Sequence, residues 1–204
     1  MNFDSSLEAI FLFPQDNPEF LLVMLHGWGA NSRDLAPIAQ VLDLPGFGYL
    51  LPNAPFKHPQ VAEGRAWYAL ETPGYEGLEQ SREMLLEWLM SLEASTSVPR
   101  SHTFVGGFSQ GGAMTLDVAL KLPLAGLISM SGYLHYEPEP LATTPPVLIC
   151  HGTQDTIVPL SAAQQARDKL TAIDVSVQYQ EFPIGHEISP EEIQLAKEFI
   201  LSKL

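Results

Sequence analysis

The 204-residue chain is poor in cysteine, in positive charge and in long apolar runs. Its one cysteine, Cys150, permits no internal disulfide, and because it lies within an apolar run we interpret it as a buried core thiol. Lys and Arg number 10 against 24 Asp and Glu. The resulting net charge of −14 argues against nucleic acid and anionic membrane surfaces as partners.

No apolar run approaches the roughly 20 residues of a membrane span. The N-terminus also lacks the basic region and the small-residue cleavage site of a signal peptide. These absences predict a cytoplasmic protein with no stable membrane association. The sequence does not distinguish a monomer from a homodimer.

The chain is otherwise that of a globular protein, since 46% of its residues are hydrophobic and 17% are charged. Its length predicts one domain spanning residues 1–204. Apolar strands are predicted at 20–25, 47–51, 102–106, 124–130, 147–150 and 175–182, and an edge strand at 6–13 that ends at Pro14. Helices are predicted after the N-cap Asn31 to residue 42, and at 77–93, 112–121, 161–170 and 190–204. Continuous apolar strands between helices predict an α/β fold, in which a mostly parallel central sheet carries helices on both faces.

The pentapeptide Gly107-Phe108-Ser109-Gln110-Gly111 fits the pattern G-x-S-x-G and lies between a predicted strand and a predicted buried helix. In that context the pattern is the nucleophile elbow of α/β-hydrolases. A sharp turn exposes the serine hydroxyl and directs the next backbone N–H at the oxyanion that develops on a carbonyl. We therefore interpret Ser109 as a nucleophile.

A glycine loop, His26-Gly27-Trp28-Gly29, follows the strand predicted at 20–25. Such a loop commonly supplies a second oxyanion donor, since glycine lets the backbone approach a substrate closely. The alternative is a plain turn with an aromatic side chain that fills space. Beside an elbow we favour the first reading, with the backbone N–H groups of Trp28 and Gln110 as donors and His26 as a brace for the loop.

Chain order points to the two remaining partners of the serine. Asp155 follows a buried strand and a glycine turn, and His186 is the one histidine of six that comes after it, as the order Ser…Asp…His requires. The competing acids lie within predicted elements or in loops without this context; they are Asp117, Glu137, Glu139, Asp168, Asp174 and Glu181. No spacing typical of metal ligands or of a nucleotide-binding loop occurs, so we expect no metal and no nucleotide.

At these residues the chain resembles the phospholipase/carboxylesterase family, which includes bacterial carboxylesterases, acyl-protein thioesterases and lysophospholipases. The matching segments fall in register along nearly the whole chain: LHGWGAN (25–31), LPNAP (51–55), RAWY (65–68), GGFSQGGAM (106–114), LAGLISMSGYL (124–134), PPVLICHGTQDTIVP (145–159) and GHEISPEE (185–192). The resemblance implies an α/β-hydrolase fold, a Ser109–Asp155–His186 triad, oxyanion donors at Trp28 and Gln110, and no cofactor. It also implies small-molecule acyl esters or thioesters of short to medium chain, and sometimes lysophospholipids, as substrates.

The chain departs from the family at three places. Members often have Leu or a smaller residue where Trp28 stands and Asp where Ala69 stands, and segment 70–77 is shorter than in the eukaryotic thioesterases. These departures concern acyl specificity. The short segment 131–146 leaves no room for a cap domain, so an open site is expected.

Two other functions compete with a serine esterase. The first is another hydrolase chemistry, such as dienelactone hydrolysis, which usually has Cys as its nucleophile. The second is a non-catalytic binding module, which typically lacks one member of the triad.

Overall fold

A computed structural model describes residues 7–13, 17–139 and 142–204 of the chain. In this part of the protein the strands are β1 (Ala9–Leu12), β2 (Phe20–Leu25), β3 (Phe47–Pro52), β4 (Phe56–Lys57), β5 (Arg65–Ala66), β6 (Thr103–Phe108), β7 (Gly126–Met130), β8 (Val147–Gly152) and β9 (Val177–Phe182). The helices are α1 (Ser32–Leu42), α2 (Leu78–Thr96), α3 (Gln110–Val118), α4 (Leu160–Ala172) and α5 (Pro190–Leu201).

Seven strands form one central sheet in the order β1-β3-β2-β6-β7-β8-β9. Every neighbouring pair is parallel except β1 with β3, which is antiparallel. The predicted parallel sheet and its edge strand are therefore confirmed, although Ser6 and Pro14, at the predicted limits of that strand, lie outside the described residues. All parallel strands end at one edge of the sheet, which is where ligands bind in such folds.

The helices cover both faces of the sheet, as predicted. Apolar residues of α1 and α5 pack on one face, and those of α2, α3 and α4 pack on the other. The N-termini of α1 and α5 carry capping boxes, Asn31 with Asp34 and Ser189 with Glu192, in which each side chain accepts a backbone N–H at the helix start. The architecture is the α/β-hydrolase fold that the sequence predicts.

Most element boundaries differ from the prediction by one to three residues, and some of these differences have local reasons. Helix α3 begins at Gln110 instead of Gly112, since the Ser109 carbonyl already accepts the N–H of Ala113 at 3.0 Å, and after Val118 it tightens into a 3₁₀ turn at 119–121. Strand β8 runs two residues beyond Cys150, because His151 and Gly152 still pair with β9. The two-residue strands β4 and β5 form a hairpin that the sequence pattern does not reveal.

The core includes Cys150, which is fully buried as predicted, and burial raises the pKa of its thiol. Within the described part of segment 131–146 there is no helix or strand, so no cap covers the end of β7. No helix among the described residues is long and apolar enough to span a bilayer.

Candidate active site

Ser109 lies at a sharp turn between β6 and α3, with φ 54° and ψ −118°. The flanking glycines are required by space. A Cβ on Gly107 would lie 2.4 Å from the Gly111 carbonyl, and a Cβ on Gly111 would lie 2.1 Å from the Leu25 carbonyl oxygen. Neither contact is sterically tolerable. The elbow that the sequence predicts is therefore present, and it holds Ser109 at the carboxyl edge of the sheet.

The structure brings Ser109, His186 and Asp155 together in one hydrogen-bonded chain. His186 Nε2 lies 2.9 Å from Ser109 Oγ, and His186 Nδ1 lies 2.6 Å from Asp155 Oδ2. An acid at Nδ1 keeps the proton on that nitrogen, which leaves Nε2 free to accept from the serine hydroxyl. The three groups follow the ends of β6, β8 and β9, which lie at the same edge of the sheet.

The side chain of Asp155 is fully buried, and hydrogen bonds hold both of its carboxylate oxygens. Its Oδ1 accepts the backbone N–H groups of Ile157 at 2.8 Å and Val158 at 2.9 Å. Burial alone would raise the pKa of this carboxyl, but the hydrogen bonds from His186 and from the two backbone groups outweigh burial and lower it below its usual value. The carboxylate is therefore charged at neutral pH and faces His186.

A second histidine beside Asp155 was not singled out by sequence reasoning. His151 is fully buried, and its Nε2 donates to the Val158 carbonyl at 2.9 Å and lies 3.5 Å from Asp155 Oδ2. Its hydrogen bond to the Val158 carbonyl connects the end of β8 to the turn that carries Asp155. The signal in the sequence is weak, because a histidine at the end of an apolar strand is usually a core residue.

The other candidate acids lie elsewhere. Glu137 forms an ion pair with Lys169 at 2.5 Å, and Asp168 pairs with Arg167 at 2.8 Å. Asp174 is an exposed residue in a left-handed turn, with φ 63°. The hydrogen bonds described for His186 go to Ser109 and Asp155.

The glycine loop lies beside the elbow, as predicted. Among the described residues, no hydrogen bond uses the backbone N–H of Trp28 or of Gln110, the two predicted donors. The N–H of Gln110 is at the first position of α3, where no intrahelical acceptor exists and the helix dipole favours negative charge. Gly27 packs against the elbow, since a Cβ there would lie 3.4 Å from Ser109 Cβ.

His26 braces this loop, as the sequence suggests. Its Nδ1 donates to the Gly27 carbonyl at 2.7 Å, and its Nε2 accepts the N–H of Ala54 at 3.0 Å. Burial lowers the pKa of the ring to about 4, so the imidazole is neutral. With both nitrogens occupied, His26 has no free position from which to act on Ser109.

The Gln110 side chain fastens the elbow to the segment after β5. Its Oε1 accepts the N–H of Trp67 at 2.9 Å, and its Nε2 donates to the Tyr68 carbonyl at 2.8 Å. Gln110 is nearly fully buried, with 1% of its surface exposed. Sequence reasoning missed this role, because it used only the backbone of Gln110.

A groove of about 440 Å³ opens next to the glycine loop. Its lining includes Trp28, Phe56, Tyr68, Leu70 and Thr72. Tyr68 connects the groove to the elbow through the Gln110 contact, so apolar surface adjoins the predicted oxyanion donors. In the described residues no group of three or more His, Cys, Asp or Glu side chains is placed to hold a metal ion.

The profile of the phospholipase/carboxylesterase family matches residues 9–204. The chain belongs to this family. It is 27% identical to acyl-protein thioesterase 1 of Eremothecium gossypii over 91% of this chain and 88% of that protein, and 28% identical to carboxylesterase SOBER1 of Arabidopsis thaliana over 90% of each. The crystal structure of esterase PE8 superposes with a TM-score of 0.90 at 29% identity, covering 97% of this chain and 99% of that one. The predicted family and fold are thereby confirmed, and this member of the family is a hydrolase.

Proposed function

We propose that this protein hydrolyses carboxylic esters or thioesters of short to medium acyl chains through a covalent acyl-enzyme on Ser109. The observation that carries the proposal is the continuous chain of hydrogen bonds from Ser109 through His186 to Asp155. The family relatives, a carboxylesterase and an acyl-protein thioesterase by name, support ester or thioester cleavage. The substrate is a small acyl compound, and the cytoplasmic compartment stays a prediction.

The mechanism follows from the hydrogen-bond directions. Ser109 Oγ attacks the acyl carbonyl carbon while His186 Nε2 takes the hydroxyl proton, and buried Asp155 stabilises the imidazolium that forms. The oxyanion accepts from the backbone N–H groups of Trp28 and Gln110. His186 then protonates the leaving alcohol or thiol. Water, deprotonated by the same nitrogen, hydrolyses the acyl-enzyme.

The groove beside the glycine loop is the place for the acyl chain. Its lining includes Trp28, Phe56, Tyr68 and Leu70, which offer a methylene chain apolar and aromatic surface beside polar residues such as Glu71. The serine nucleophile disfavours dienelactone chemistry, which usually employs Cys. Family membership and a complete Ser–His–Asp set disfavour a non-catalytic binding module.

A fluorophosphonate, which reacts with an activated serine and mimics the tetrahedral intermediate, tests the proposal. We expect one adduct on the peptide that contains Ser109, and none in Ser109→Ala. Ser131 is a matched control, because it is also buried and has positive φ, at 49°. Ser131→Ala should still be labelled and still cleave p-nitrophenyl butyrate, whereas an adduct on another residue would disprove the assignment.

A comparison of leaving groups separates ester from thioester preference. Butyryl esters and butyryl thioesters of matched leaving-group acidity are hydrolysed through the same acyl-enzyme, so their deacylation rates are equal. A difference in kcat/KM between them therefore reports the acylation step and the leaving-group side of the site.

A further inference from the structure

The β4–β5 hairpin forms backbone hydrogen bonds with the end of the glycine loop. The N–H of Gly29 donates to the Arg65 carbonyl at 2.9 Å, and the N–H of Arg65 donates to the Ala30 carbonyl at 2.8 Å. These two hydrogen bonds involve Gly29 and Ala30, the two residues that follow Trp28. The Gly27 carbonyl shares its peptide plane with the Trp28 N–H and accepts the N–H of Ala30 at 3.3 Å. A hairpin that holds Gly29 and Ala30 therefore also constrains the direction of the Trp28 N–H.

His58 organises the turn of this hairpin. Its ring Nδ1 accepts the backbone N–H of Gln60 at 3.1 Å and that of Val61 at 2.9 Å. The backbone N–H of His58 donates to the Gly64 carbonyl at 2.8 Å. The turn is pressed directly on the glycine loop, since a Cβ on Gly64 would lie 2.7 Å from the Gly29 carbonyl oxygen. A change in the turn at His58 would therefore reach the glycine loop.

The His58 ring also contacts the Trp28 side chain. The two ring centroids are 4.2 Å apart with an angle of 61° between the planes, an edge-to-face arrangement. His58 as a whole residue is 8% exposed, and its ring also covers Gly29, where an added Cβ would lie 3.4 Å from His58 Cδ2. The space that the Trp28 indole would need in order to move toward the hairpin is occupied by this imidazole.

We propose that His58 is a positioning residue that sets acyl-chain selection: its Nδ1 folds the hairpin that aims the Trp28 N–H, and its ring holds the Trp28 side chain as a wall of the groove. This inference rests on the proposed function. His58 is not a second base for Ser109. Its Nδ1 accepts two N–H groups, so the neutral ring carries its proton on Nε2 and has no free acceptor.

Two substitutions separate the two contributions. In His58→Asn the ring is lost, but the side-chain amide oxygen can accept the same backbone N–H groups. Asn31 makes a bond of this kind, since its Oδ1 accepts the backbone N–H of Arg33, two residues later, at 2.8 Å. In His58→Phe a ring remains beside Trp28 but the acceptor is lost. His58→Ala lacks both. His102 is the matched control, since its ring stacks on Phe20 at 4.9 Å and its Nδ1 contacts the Glu19 carbonyl, at the opposite edge of the sheet.

The measurement is kcat and KM for p-nitrophenyl esters from acetyl to decanoyl, with thermal melting of each variant. For His58→Asn we expect kcat on acetyl within about threefold of wild type. Its octanoyl-to-acetyl ratio of kcat/KM should rise at least about fivefold, since each additional buried methylene is worth roughly fourfold. For His58→Phe we expect kcat to fall about tenfold at every chain length with an unchanged ratio, because a misdirected donor costs less than a removed one.

His58→Ala should show both effects, and His102→Asn and His102→Phe should show neither. An unchanged chain-length ratio in His58→Asn, or an unchanged kcat in His58→Phe, overturns the proposal. NMR relaxation of the Trp28 indole N–H provides a readout that needs no hydrolysis: we expect greater mobility in His58→Asn than in wild type. If wild-type Ser109 is not labelled by the fluorophosphonate, the proposed function fails, while the NMR comparison still decides the role of His58.

Discussion

Three histidines close to the nucleophile or its glycine loop differ in which ring nitrogen is free. His26 has both nitrogens engaged with backbone groups, and burial lowers its pKa to about 4. His58 accepts two N–H groups at Nδ1. Of these three, His186 is the one that presents a nitrogen to Ser109. The environment of each ring, more than the residue type, therefore favours His186 as the proposed base.

The role of Asp155 leads to a prediction about one substitution. Asp155→Asn keeps the size of the side chain but removes the charge that stabilises the imidazolium, and it favours the wrong tautomer of His186. We expect kcat to fall at least about 10³-fold with folding intact. The measurement is steady-state hydrolysis of p-nitrophenyl butyrate, with circular dichroism as the check on folding.

Two other acids serve as controls for Asp155. Asp174 is exposed in a left-handed turn that Asn also adopts readily, and Glu137 pairs with Lys169 at the surface. Asp174→Asn and Glu137→Gln should stay within roughly threefold of wild type. A loss at Glu137 as large as that at Asp155 would contradict the assignment of Asp155 as the acid of the triad.

The sequence predicts the nucleophile, base and acid because each directly follows a strand end in a fixed chain order. It does not predict the contacts that support them. The Gln110 side chain bonds to Trp67, 43 residues away, and His58 packs on Trp28 across a hairpin with no periodic pattern. Such contacts depend on how segments distant in sequence come together, and spacing along the chain carries no trace of them.

At the scale of elements, local chemistry predicts the helix starts that carry a capping side chain. Asn31 and Ser189 cap α1 and α5 with their own side chains, so these starts can be derived from sequence. Strands β4 and β5 have two residues each, too few for an alternating pattern. They pair with each other, and β5 is also held by the backbone hydrogen bonds that join Arg65 to Gly29 and Ala30, which are tertiary contacts.

Glu192, in the capping box of α5, is a buried carboxyl with a pH-dependent cost. Burial raises its pKa from 4.5 to about 7, the Ser189 N–H opposes this, and the negative charges of Glu187, Asp155 and Glu191 add to it. Between pH 4.5 and about 7 the folded protein therefore binds more protons than the unfolded chain. The free energy of unfolding accordingly falls as the pH rises through this range.

Glu192→Gln should remove this dependence, because glutamine can accept the same Ser189 N–H without carrying charge. Relative to wild type, we expect the variant to gain on the order of 2 to 3 kcal/mol between pH 5 and pH 8. Urea unfolding at both pH values measures the difference. Glu191→Gln, an exposed neighbour on the same turn, is the control, and an equal gain there or a constant offset for Glu192→Gln would contradict the assignment.

At the scale of the whole molecule, the short connections at the carboxyl edge leave the site open. The groove lies between Trp28 and the 70–77 segment, and the described part of 131–146 adds no helix over it. Little surface is thus available for the far end of a long chain. We expect kcat/KM to rise from acetyl to about butyryl or hexanoyl and then to level off or fall, since further methylenes remain exposed.

The assay compares p-nitrophenyl esters of two to twelve carbons below their micellar concentrations. Trp28→Leu should move the optimum to longer chains, because it removes the indole wall. A maximum at ten or more carbons in the wild-type protein would contradict the short-chain prediction and favour a long groove.

The proposed chemistry also predicts how the whole enzyme responds to chelation. In the proposed mechanism backbone dipoles stabilise the oxyanion and an imidazole activates the nucleophile, so no step draws on a bound ion. We expect dialysis against EDTA to leave kcat/KM unchanged. A loss of activity that zinc or magnesium restores would refute the mechanism.

Because the three tryptophans differ in exposure, the intrinsic fluorescence of the protein can report on the groove. Trp67 and Trp88 are enclosed in the core, with 0% and 1% of their surfaces exposed, whereas Trp28 is half-buried beside the groove. Emission from the two core indoles is shielded from aqueous quenchers, so the part of the fluorescence that responds to acrylamide comes from Trp28. An acyl chain that enters the groove displaces water from that indole and changes its emission. Stopped-flow fluorescence can therefore follow acylation and deacylation with unmodified substrates that release no coloured product.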